Sequence, residues 1–385
     1  MTRVAFVLDG PTFQGSVNYF RNLVSALALL PDRPVRPYVF IGRTATQELA
    51  DTFRGAKVIR TSLLDDRSLG GRVRRRLKRH LRGRDPLLAL LLAAHRIRIL
   101  SHLGPLRGGG VRTIGWIPDF QHIYLPTFFD DAERGRRDAE FHDLVDRCDM
   151  VVLSSVAAQN DLAAFAPDAI AKSRVLQFVP SIEQAAVVSL ADLEAKYGFH
   201  APYFYMPNQF WIHKNHRIVV EALARLKDQG LAPTVLMTGS TKDYRHPDHY
   251  DRLIAQATKS GVADSFRVLG MVPYGDLLSL MQHALAVLNP SLFEGWSSSV
   301  EEAKALDKIV LLSNLPVHLE QAPPRGIFFD PADADDLAAK MQRVMEAADP
   351  AAAPATSLTL SDTYHQDRLR FAESYRRIVI DAIAA

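Results

Sequence analysis

The stretch Asn289–Ala303, with the sequence NPSLFEGWSSSVEEA, combines a strand end, a polar loop and the start of a helix. The apolar run before it predicts a strand over Leu285–Leu288, and Ser297–Ser299 are typical of a helix start. The first turn of a helix presents backbone N–H groups without partners inside the helix, at the positive end of its dipole. The stretch therefore predicts a binding site for an anion such as a diphosphate.

Two glutamates flank this helix start, with seven residues between them. Glu294 lies in the loop, and Glu302 lies about two turns into the region. Loop and first turn can therefore offer carboxylates to hydroxyl groups at two ends of one ligand. The simpler alternative is a serine-capped helix with solvated glutamates.

Short β-rich runs alternate with longer helical stretches along the chain. Most are continuously apolar, which favours strands covered by helices on both faces, and the alternation favours α/β architecture with doubly wound parallel sheets. The predicted strands are Val4–Leu8, Pro37–Ile41, Lys57–Arg60, Met150–Leu153, Val175–Phe178, Tyr203–Met206, Thr234–Met237, Phe266–Leu269, Leu285–Leu288, Ile309–Leu312 and Ile327–Phe329.

The length of 385 residues predicts two domains rather than one. We expect an N-terminal domain over residues 1–182 and a C-terminal domain over residues 183–362, because the helical stretch Leu190–Tyr197 leads to a new series of strands. Residues 363–385 predict a terminal amphipathic helix that packs on the N-terminal domain. Its apolar face consists of Phe371, Tyr375, Ile378, Val379 and Ala382.

Composition excludes several classes of protein. Hydrophobic residues make up 48% and charged residues 23%, as in ordinary globular proteins, and the net charge of +3 does not favour nucleic-acid binding. The single Cys148 leaves no internal disulfide and no cysteine-rich zinc site, and favours a cytoplasmic compartment. Val4–Leu8 is too short for a signal peptide, and Leu87–Ala94 is far shorter than the ~20 residues of a membrane span.

A basic run over Arg72–Arg84 contains eight lysines and arginines among thirteen residues. One interpretation is a solvated helix face. The other is contact with anionic lipid headgroups, which would suit a lipid-linked acceptor. The stretch Ala348–Pro354 predicts a linker before the terminal helix.

The stretch Asn289–Ala303 resembles the E-x7-E motif of glycosyltransferase family 4, the group 1 glycosyltransferases. The resemblance implies the GT-B fold, in which two Rossmann-like domains face a central cleft. It also implies that Glu294 contacts hydroxyls of the donor sugar and that Glu302 contacts the donor ribose, while Glu301 faces away.

Other segments resemble the same family. Ile212–His216 is similar to its second-domain lysine signature, which implies that Lys214 pairs with the donor diphosphate as the leaving group departs. Many members carry an arginine five residues before this lysine, whereas this chain has Gln209, preceded by Asn208. Gly15 matches a glycine of the turn after the first strand.

The segment Trp116–Phe129 resembles a first-domain segment of one branch of the family, whose polar residues line the acceptor side. Asp119 and His122 are therefore the acceptor-side candidates. Gly239 joins the donor-contacting candidates Asn208, Gln209 and Ser297–Ser299. Matching stretches occur along nearly the whole chain.

An Asp-x-Asp triplet, Asp333–Asp335, has the form that binds divalent metal in the other large glycosyltransferase fold. Here it follows Asp330-Pro331 and precedes an apolar helical run, which predicts a helix N-cap instead. We expect no catalytic metal. The chain lacks a G-x-x-x-x-G-K-[ST] phosphate loop, which argues against an ATPase or kinase.

The resemblance implies transfer of a sugar, with retention, from a nucleotide diphosphate sugar to a hydroxyl of a glycan or lipid-linked acceptor. A GDP- or UDP-sugar is the expected donor, with no other cofactor. Synthesis of bacterial surface polysaccharide or lipopolysaccharide is the expected setting, in the cytoplasm or peripherally at the inner face of the membrane. Two alternatives remain, a nucleotide-sugar epimerase-like GT-B enzyme and a non-catalytic nucleotide-sugar-binding protein, which Gln209 keeps open.

Overall fold

The computed structural model describes residues 1–9, 14–81, 84–106, 110–182, 187–348 and 358–384, and of residues 14–16 the backbone alone. Arg82 and the predicted linker from residue 349 onward lie outside these ranges. The chain forms two units. The first comprises Met1–Phe120, Asp131–Ser181 and His365–Ala385, and the second comprises Gln121–Asp130 and Ile182–Tyr364. The sequence predicts Gln121–Asp130 as part of the N-terminal domain, whereas the structure groups this segment with the second unit.

The first unit is built on a seven-stranded parallel sheet with the order β3-β2-β1-β4-β5-β6-β7. The strands are β1 (Thr2–Val7), β2 (Val35–Gly42), β3 (Lys57–Thr61), β4 (Ile99–Ser101), β5 (Arg112–Ile117), β6 (Met150–Leu153) and β7 (Ser173–Val175). The first seven helices are α1 (Gln14–Leu27), α2 (Gln47–Asp51), α3 (Leu69–His80), α4 (Pro86–Ala94), α5 (Gln121–Tyr124), α6 (Asp131–Arg147) and α7 (Val156–Phe165), of which α5 belongs to the second unit.

The second unit contains a six-stranded parallel sheet with the order β10-β9-β8-β11-β12-β13. Its strands are β8 (Tyr203–Met206), β9 (Thr234–Thr238), β10 (Phe266–Gly270), β11 (Val287–Asn289), β12 (Val310–Ser313) and β13 (Gly326–Phe329). Its further helices are α8 (Leu190–Tyr197), α9 (His216–Asp228), α10 (His249–Lys259), α11 (Tyr274–His283), α12 (Ser298–Ala305), α13 (Pro316–Gln321) and α14 (Ala334–Glu346). In both sheets the chain runs outward from the middle in one direction and then in the other, as in doubly wound folds.

Most of the predicted strands are confirmed, and β6 and β8 have the predicted limits. The strand predicted over Val175–Phe178 is displaced, because β7 ends at Val175. The strands β4 and β5 were not predicted. The apolar run of β4 is only three residues long, and β5 is interrupted by Gly115, which a strand pattern disfavours. A Cβ at Gly115 would lie 3.1 Å from Leu144 Cδ2 of α6, so the glycine lets α6 approach the sheet.

The terminal helix α15 (Tyr364–Ala384) confirms the predicted amphipathic helix. All five residues of its predicted apolar face are at most 3% exposed. From His365 onward it belongs to the first unit. There the Tyr375 hydroxyl donates to Ser101 Oγ at 2.8 Å, and Arg368 Nη2 donates to Ser25 Oγ at 2.7 Å. The last helix is therefore part of the first unit's core. Among the described residues, no helix combines the length and apolar character needed to span a membrane.

Helix α3 carries most of the basic run, and one of its arginines is not on a solvated face. Arg74 is 3% exposed and pairs with Asp9 at 2.8 Å and Asp85 at 2.7 Å. Burial alone would lower the pKa of Arg74, but the two carboxylates outweigh it and raise the pKa. Asp85 also caps α4 by accepting from the Leu88 N–H. The two surface interpretations of the run therefore apply to its exposed members, among them Arg76 and Lys78.

We expect Arg74→Ala to lower the free energy of unfolding by about 3 to 5 kcal/mol, because it leaves the buried Asp85 carboxylate without its cation. The exposed Arg76→Ala is the matched control, with an expected change within about 0.5 kcal/mol. Chemical unfolding of both variants and the wild type measures the difference. Equal stability of the two variants would contradict the structural role of Arg74.

Candidate functional site

Asn289, the last residue of β11, organises the loop that the sequence analysis singled out. It is fully buried, and its Nδ2 donates to Ser297 Oγ at 2.7 Å and to Ser299 Oγ at 3.1 Å. The Ser291 hydroxyl lies 2.9 Å from Asn289 Oδ1 and 2.7 Å from Glu294 Oε1, and donates to one or the other. One buried amide thus fixes both ends of the loop between β11 and α12.

The start of α12 is confirmed at the predicted place, but its N-cap serine does not act as a side-chain cap. Ser297 occupies the N-cap position, and its hydroxyl makes no hydrogen bond to a first-turn N–H group within the described chain. The first-turn N–H groups of Ser298–Val300 also have no acceptors within the helix itself, since the α-helical pattern provides none at these positions. The helix start can therefore bind an anion.

By contrast, α14 has an ordinary capped start. Asp333 Oδ1 accepts from the N–H groups of Asp335 and Asp336 at 2.9 and 3.0 Å. This confirms the capping interpretation of the Asp-x-Asp triplet. No group of three or more His, Cys, Asp or Glu side chains suited to a metal ion occurs in the part of the chain that the structure describes.

The neighbouring glutamates of α12 have different partners. Glu301 is 4% exposed and accepts from Gln321 Nε2 at 2.9 Å. Gln321 also donates to Ser297 O at 3.0 Å and thereby ties α13 to the start of α12. Glu302, about 100° further round the helix, accepts from the Tyr274 hydroxyl at 2.9 Å. The two carboxylates therefore contact different parts of the second unit. Glu301 contributes to the packing of α12 on α13.

Lys214 and Glu294, which are 80 positions apart in the sequence, form an ion pair. Lys214 Nζ donates to Glu294 Oε1 at 2.6 Å, with side chains 16% and 9% exposed. The interpretation of Glu294 as a solvated glutamate is therefore wrong. Lys214 ends a short 3-10 turn, Ile212–Lys214, which leads into α9.

This turn is fastened to the Asn289–Ser297 loop by backbone contacts. The Leu292 N–H donates to His213 O at 2.8 Å. Asn215, with φ +57°, donates from Nδ2 to Pro290 O at 3.1 Å and to Pro331 O at 3.0 Å. Asparagine tolerates this left-handed conformation better than most residues. The ion pair thus rests on a backbone held at several points.

The charge of Glu294 depends on its neighbours. Burial alone would raise the pKa of this carboxyl, but Lys214, and further His213 and His318, outweigh burial and lower the pKa below its ordinary value. Glu294 is therefore ionised at neutral pH. Burial lowers the pKa of His318, although Glu294 acts in the opposite direction.

We expect Lys214→Ala to lower the free energy of unfolding at neutral pH by about 3 kcal/mol, because a buried carboxylate loses its closest cation. The wild-type pKa of Glu294 lies below the 4.5 that is ordinary for a glutamate, so its stabilisation is complete above that pH and is lost as pH falls through the folded pKa. In the variant, burial raises this pKa and the carboxyl takes up a proton at higher pH. The difference between the proteins should therefore shrink toward acid.

Unfolding titrations at about pH 7 and about pH 4 measure this difference. Lys259→Ala, which removes an exposed lysine of the same unit, is the control for the change of net charge. A loss of stability in Lys214→Ala that does not depend on pH would contradict the pairing.

The ends of β8 and β9 bring Asn208, Gln209 and Gly239 together. Gln209 Oε1 accepts from the Ser240 N–H at 2.7 Å, so the residue at the arginine position of many family members holds a loop here. Asn208 Oδ1 accepts from Ser299 Oγ at 3.3 Å, and its buried Nδ2 has no hydrogen-bond partner among the described residues. Asn208 thus connects this pair of strand ends to the start of α12.

Gly239 makes this close approach possible. Its φ is +140°, and a Cβ there would lie 2.5 Å from Asn208 O and 2.9 Å from Gln209 Cα. Both neighbours are backbone atoms, which cannot rotate away as a side chain could. Only glycine therefore fits between the two strand ends.

We expect Gly239→Ala to lower the free energy of unfolding by about 1 to 3 kcal/mol through backbone strain. Because it displaces Asn208, we also expect weaker binding at the start of α12, measured by thermal stabilisation with nucleotide sugars. Gly135→Ala is the control, since an added Cβ in α6 meets nothing within 4 Å. Binding by Gly239→Ala equal to that of the wild type would count against this arrangement.

The acceptor-side candidates and Gly15 lie elsewhere. Asp119 belongs to the first unit, where its Oδ1 lies 3.8 Å from Arg137 Nη1. His122 lies in α5 of the second unit, is 2% exposed, and has its ring 6.3 Å from that of Phe129. Gly15 lies in the first turn of α1. The structure thus brings Lys214, Glu294, Asn208, Gln209, Gly239, Ser297, Ser298, Ser299 and Glu302 onto neighbouring elements of the second unit, while Asp119 and Gly15 belong to the first.

Sequence reasoning missed a histidine at the carboxyl edge of the first sheet, where doubly wound folds bind ligands. His102 follows β4 with φ +60°, an unusual conformation for this residue. Its Nδ1 lies 2.8 Å from Ser101 Oγ and its Nε2 lies 3.0 Å from the Tyr19 hydroxyl. Burial lowers its pKa to about 3, so the ring is neutral. Because β4 was not predicted, the sequence did not indicate that His102 lies at a strand end.

Two doubly wound parallel sheets of this order define the GT-B fold, and solved glycosyltransferases share it. The chain is similar to HepE of Anabaena in complex with UDP and glucose (16% identity, 100% of both chains covered, TM-score 0.66). It is similar to sucrose-phosphate synthase of Thermosynechococcus elongatus (15%, 100% of both chains, TM-score 0.68). It is also similar to WaaG, a glycosyltransferase involved in lipopolysaccharide biosynthesis (13%, 99% of this chain and 98% of that one, TM-score 0.58).

Residues 195–355, which include Lys214, Glu294 and the start of α12, match the family model of glycosyl transferases group 1. No curated protein sequence matches the chain. The fold predicted from the sequence is therefore confirmed, and the family match covers the second of the two predicted domains.

Proposed function

We propose that the protein is a glycosyltransferase that moves a sugar from a nucleotide diphosphate sugar to a hydroxyl of an acceptor. The observation that carries the proposal is the uncapped start of α12 beside the buried Lys214–Glu294 pair, within the stretch that matches the glycosyltransferase model. Residues 183–362 would accordingly form the nucleotide-sugar-binding domain.

The diphosphate would bind at the start of α12. N–H groups of its first turn and the Lys214 ammonium provide hydrogen bonds and positive charge to an anion that gains charge as the glycosidic bond breaks. Asn208 offers its Nδ2 beside Ser299. These groups would act in place of a divalent cation.

The two glutamates would hold the ends of the donor. Glu294 stays ionised and can accept hydrogen bonds from sugar hydroxyls. Glu302, positioned by the Tyr274 hydroxyl, would accept from the ribose. Charge-assisted bonds of this kind are stronger than those between neutral groups.

We infer transfer with retention. The bond from the anomeric carbon to the leaving phosphate oxygen breaks, and the acceptor oxygen bonds to that carbon on the same face. The acceptor proton passes to the departing phosphate, so that no covalent enzyme intermediate is needed. Asp119 and His122 are the acceptor-side candidates.

UDP-sugars are the first donors to test, since HepE is similar to this chain and its structure contains UDP and glucose. The similarity to WaaG supports a glycan or lipid-linked acceptor of a bacterial surface polysaccharide. The exposed arginines and the one lysine of α3 would suit peripheral attachment to an anionic membrane at its cytoplasmic face.

We expect one nucleotide class among UDP-, GDP-, dTDP- and ADP-sugars to raise the thermal stability of the wild type. At about 100-fold over its dissociation constant, a ligand of the folded state adds ~2.7 kcal/mol. Glu302→Gln should weaken this stabilisation, because a neutral amide accepts ribose hydrogen bonds less strongly. Glu346→Gln, which changes an exposed glutamate of α14, should leave it unchanged.

Absence of stabilisation by every nucleotide sugar would overturn the donor site. Release of the nucleotide that requires an acceptor distinguishes transfer from epimerase chemistry. Donor binding without transfer to any acceptor would support a binding protein instead.

A further inference from the structure

The segment Gln121–Asp130 is held on the second unit by aromatic contacts. The Tyr124 ring stacks on Phe293, with centroids 5.3 Å apart and planes at 29°. The Phe128 ring meets the edge of His246 with centroids 6.0 Å apart, and the Arg245 guanidinium lies 4.3 Å from the Phe129 ring centroid. Three side chains of a short segment thus contact one unit.

The same loop of the second unit supports both this segment and the Lys214 turn. Asp243 is 3% exposed, and its carboxylate accepts from the Ile212 N–H at 3.1 Å and from the Arg245 N–H at 3.0 Å. Arg245 in turn lies over Phe129. Segment and turn therefore have a common anchor, which fixes Tyr124 relative to the ion pair.

The stacked pair lies beside the candidate sugar site. Phe293 is bonded directly to Glu294, the carboxylate that pairs with Lys214 at 2.6 Å. Tyr124 is 57% exposed, and Phe293 is partly buried. An exposed, stacked aromatic surface therefore borders the buried charged groups. We call these two rings the Tyr124–Phe293 platform.

We propose that the Tyr124–Phe293 platform binds a sugar ring of the acceptor, so that the acceptor presents a carbohydrate, rather than a bare lipid, next to the donor sugar. This inference rests on the proposed function and specifies its substrate class. One face of a pyranose consists of polarised C–H groups, which pack on the negative face of an aromatic ring. Its hydroxyls remain at the rim, within the polar surroundings of the site.

The size and setting of the platform favour this occupant. Because the two rings cover each other on one side, the exposed outer face of Tyr124 offers an area suited to one sugar ring, well below the roughly 1,000 Å² of a specific protein interface. A long alkyl chain would leave much of its apolar surface in water and would place it against an ionised carboxylate and an ammonium. A sugar ring can pack its C–H face on the aromatic ring while its hydroxyls face the charged groups.

The experiment measures transfer from the nucleotide sugar that gives the largest thermal stabilisation. The acceptors are the octyl β-glycosides of glucose, galactose, mannose and N-acetylglucosamine, with farnesyl phosphate as the sugar-free acceptor. Saturation-transfer NMR with the same glycosides measures binding independently of turnover. The variants are Tyr124→Ala, Tyr124→Phe and the control Ile123→Ala. The control removes a neighbouring apolar side chain that is 47% exposed, against 57% for Tyr124, and that lies about 100° round the helix.

We expect Tyr124→Ala to raise KM for the glycosides about fivefold to tenfold, with kcat and donor-induced stabilisation unchanged. Tyr124→Phe keeps the ring and should stay close to the wild type, as should Ile123→Ala. An unchanged KM in Tyr124→Ala overturns the platform, and so does loss of donor stabilisation in that variant.

Failure of the two proposals is distinguishable. If the wild type binds a nucleotide sugar but binds and uses none of the glycosides, or if it uses only farnesyl phosphate, the platform fails while the donor site stands. If no nucleotide sugar binds, the proposed function fails, and glycoside binding by NMR that is lost in Tyr124→Ala would still identify a carbohydrate site.

Discussion

The amide of Asn289 is the constraint on which the candidate site depends. Its Nδ2 donates to the hydroxyls of Ser297 and Ser299, and Ser297 does not provide the side-chain cap that a serine at this position ordinarily gives a helix. A cap stabilises a helix by about 1 kcal/mol, so its absence has a cost in stability. The result is a helix start with hydrogen-bond donors available to an anion. Under the proposed function, local stability would be exchanged for a binding surface, as is common where a fold carries its function.

Burial of charge also has a cost in stability at this site. Glu294 and Lys214 are both nearly buried, and each would be unfavourable alone, since removing a charge from water is costly. Together they form a pair whose members can exchange partners: a diphosphate can accept from Lys214, and sugar hydroxyls can donate to Glu294. With Lys214 Nζ 2.6 Å away, the carboxylate is ionised at neutral pH, and the Ser291 hydroxyl lies 2.7 Å from it. The unliganded pair thus keeps both groups charged and in position.

The sequence was sufficient for the fold because strands covered on both faces are apolar throughout, and such runs are easily recognised. It was insufficient where tertiary packing outweighs local pattern, as in β4 and in β5 with Gly115. The candidate site likewise has features that the sequence predicts and features that it does not. The helix start and the two glutamates could be read from one stretch, whereas the Lys214–Glu294 pair joins distant positions, and Gln321 and Tyr274 carry no local signal. Arg74 was misjudged within the basic run, because a charge pattern does not show which member has buried carboxylates beside it.

The role of Gln209 follows from these contacts. In the family that the sequence resembles, many members are expected to carry an arginine at this position, whereas here the Gln209 side chain accepts from the Ser240 N–H and so shapes the loop after β9. Positive charge at the start of α12 then comes from Lys214 and from the helix, whose N-terminus is equivalent to roughly half an elementary charge. Against a diphosphate this leaves a larger share to Lys214 than in a site with two cations. The Asn208 amide beside Ser299 would add hydrogen bonding without charge, so the proposed site would rely on oriented dipoles more than on ion pairing. Oriented dipoles act only where the geometry is fixed, and the Asn289 hydrogen bonds and the close backbone approach at Gly239 fix it here.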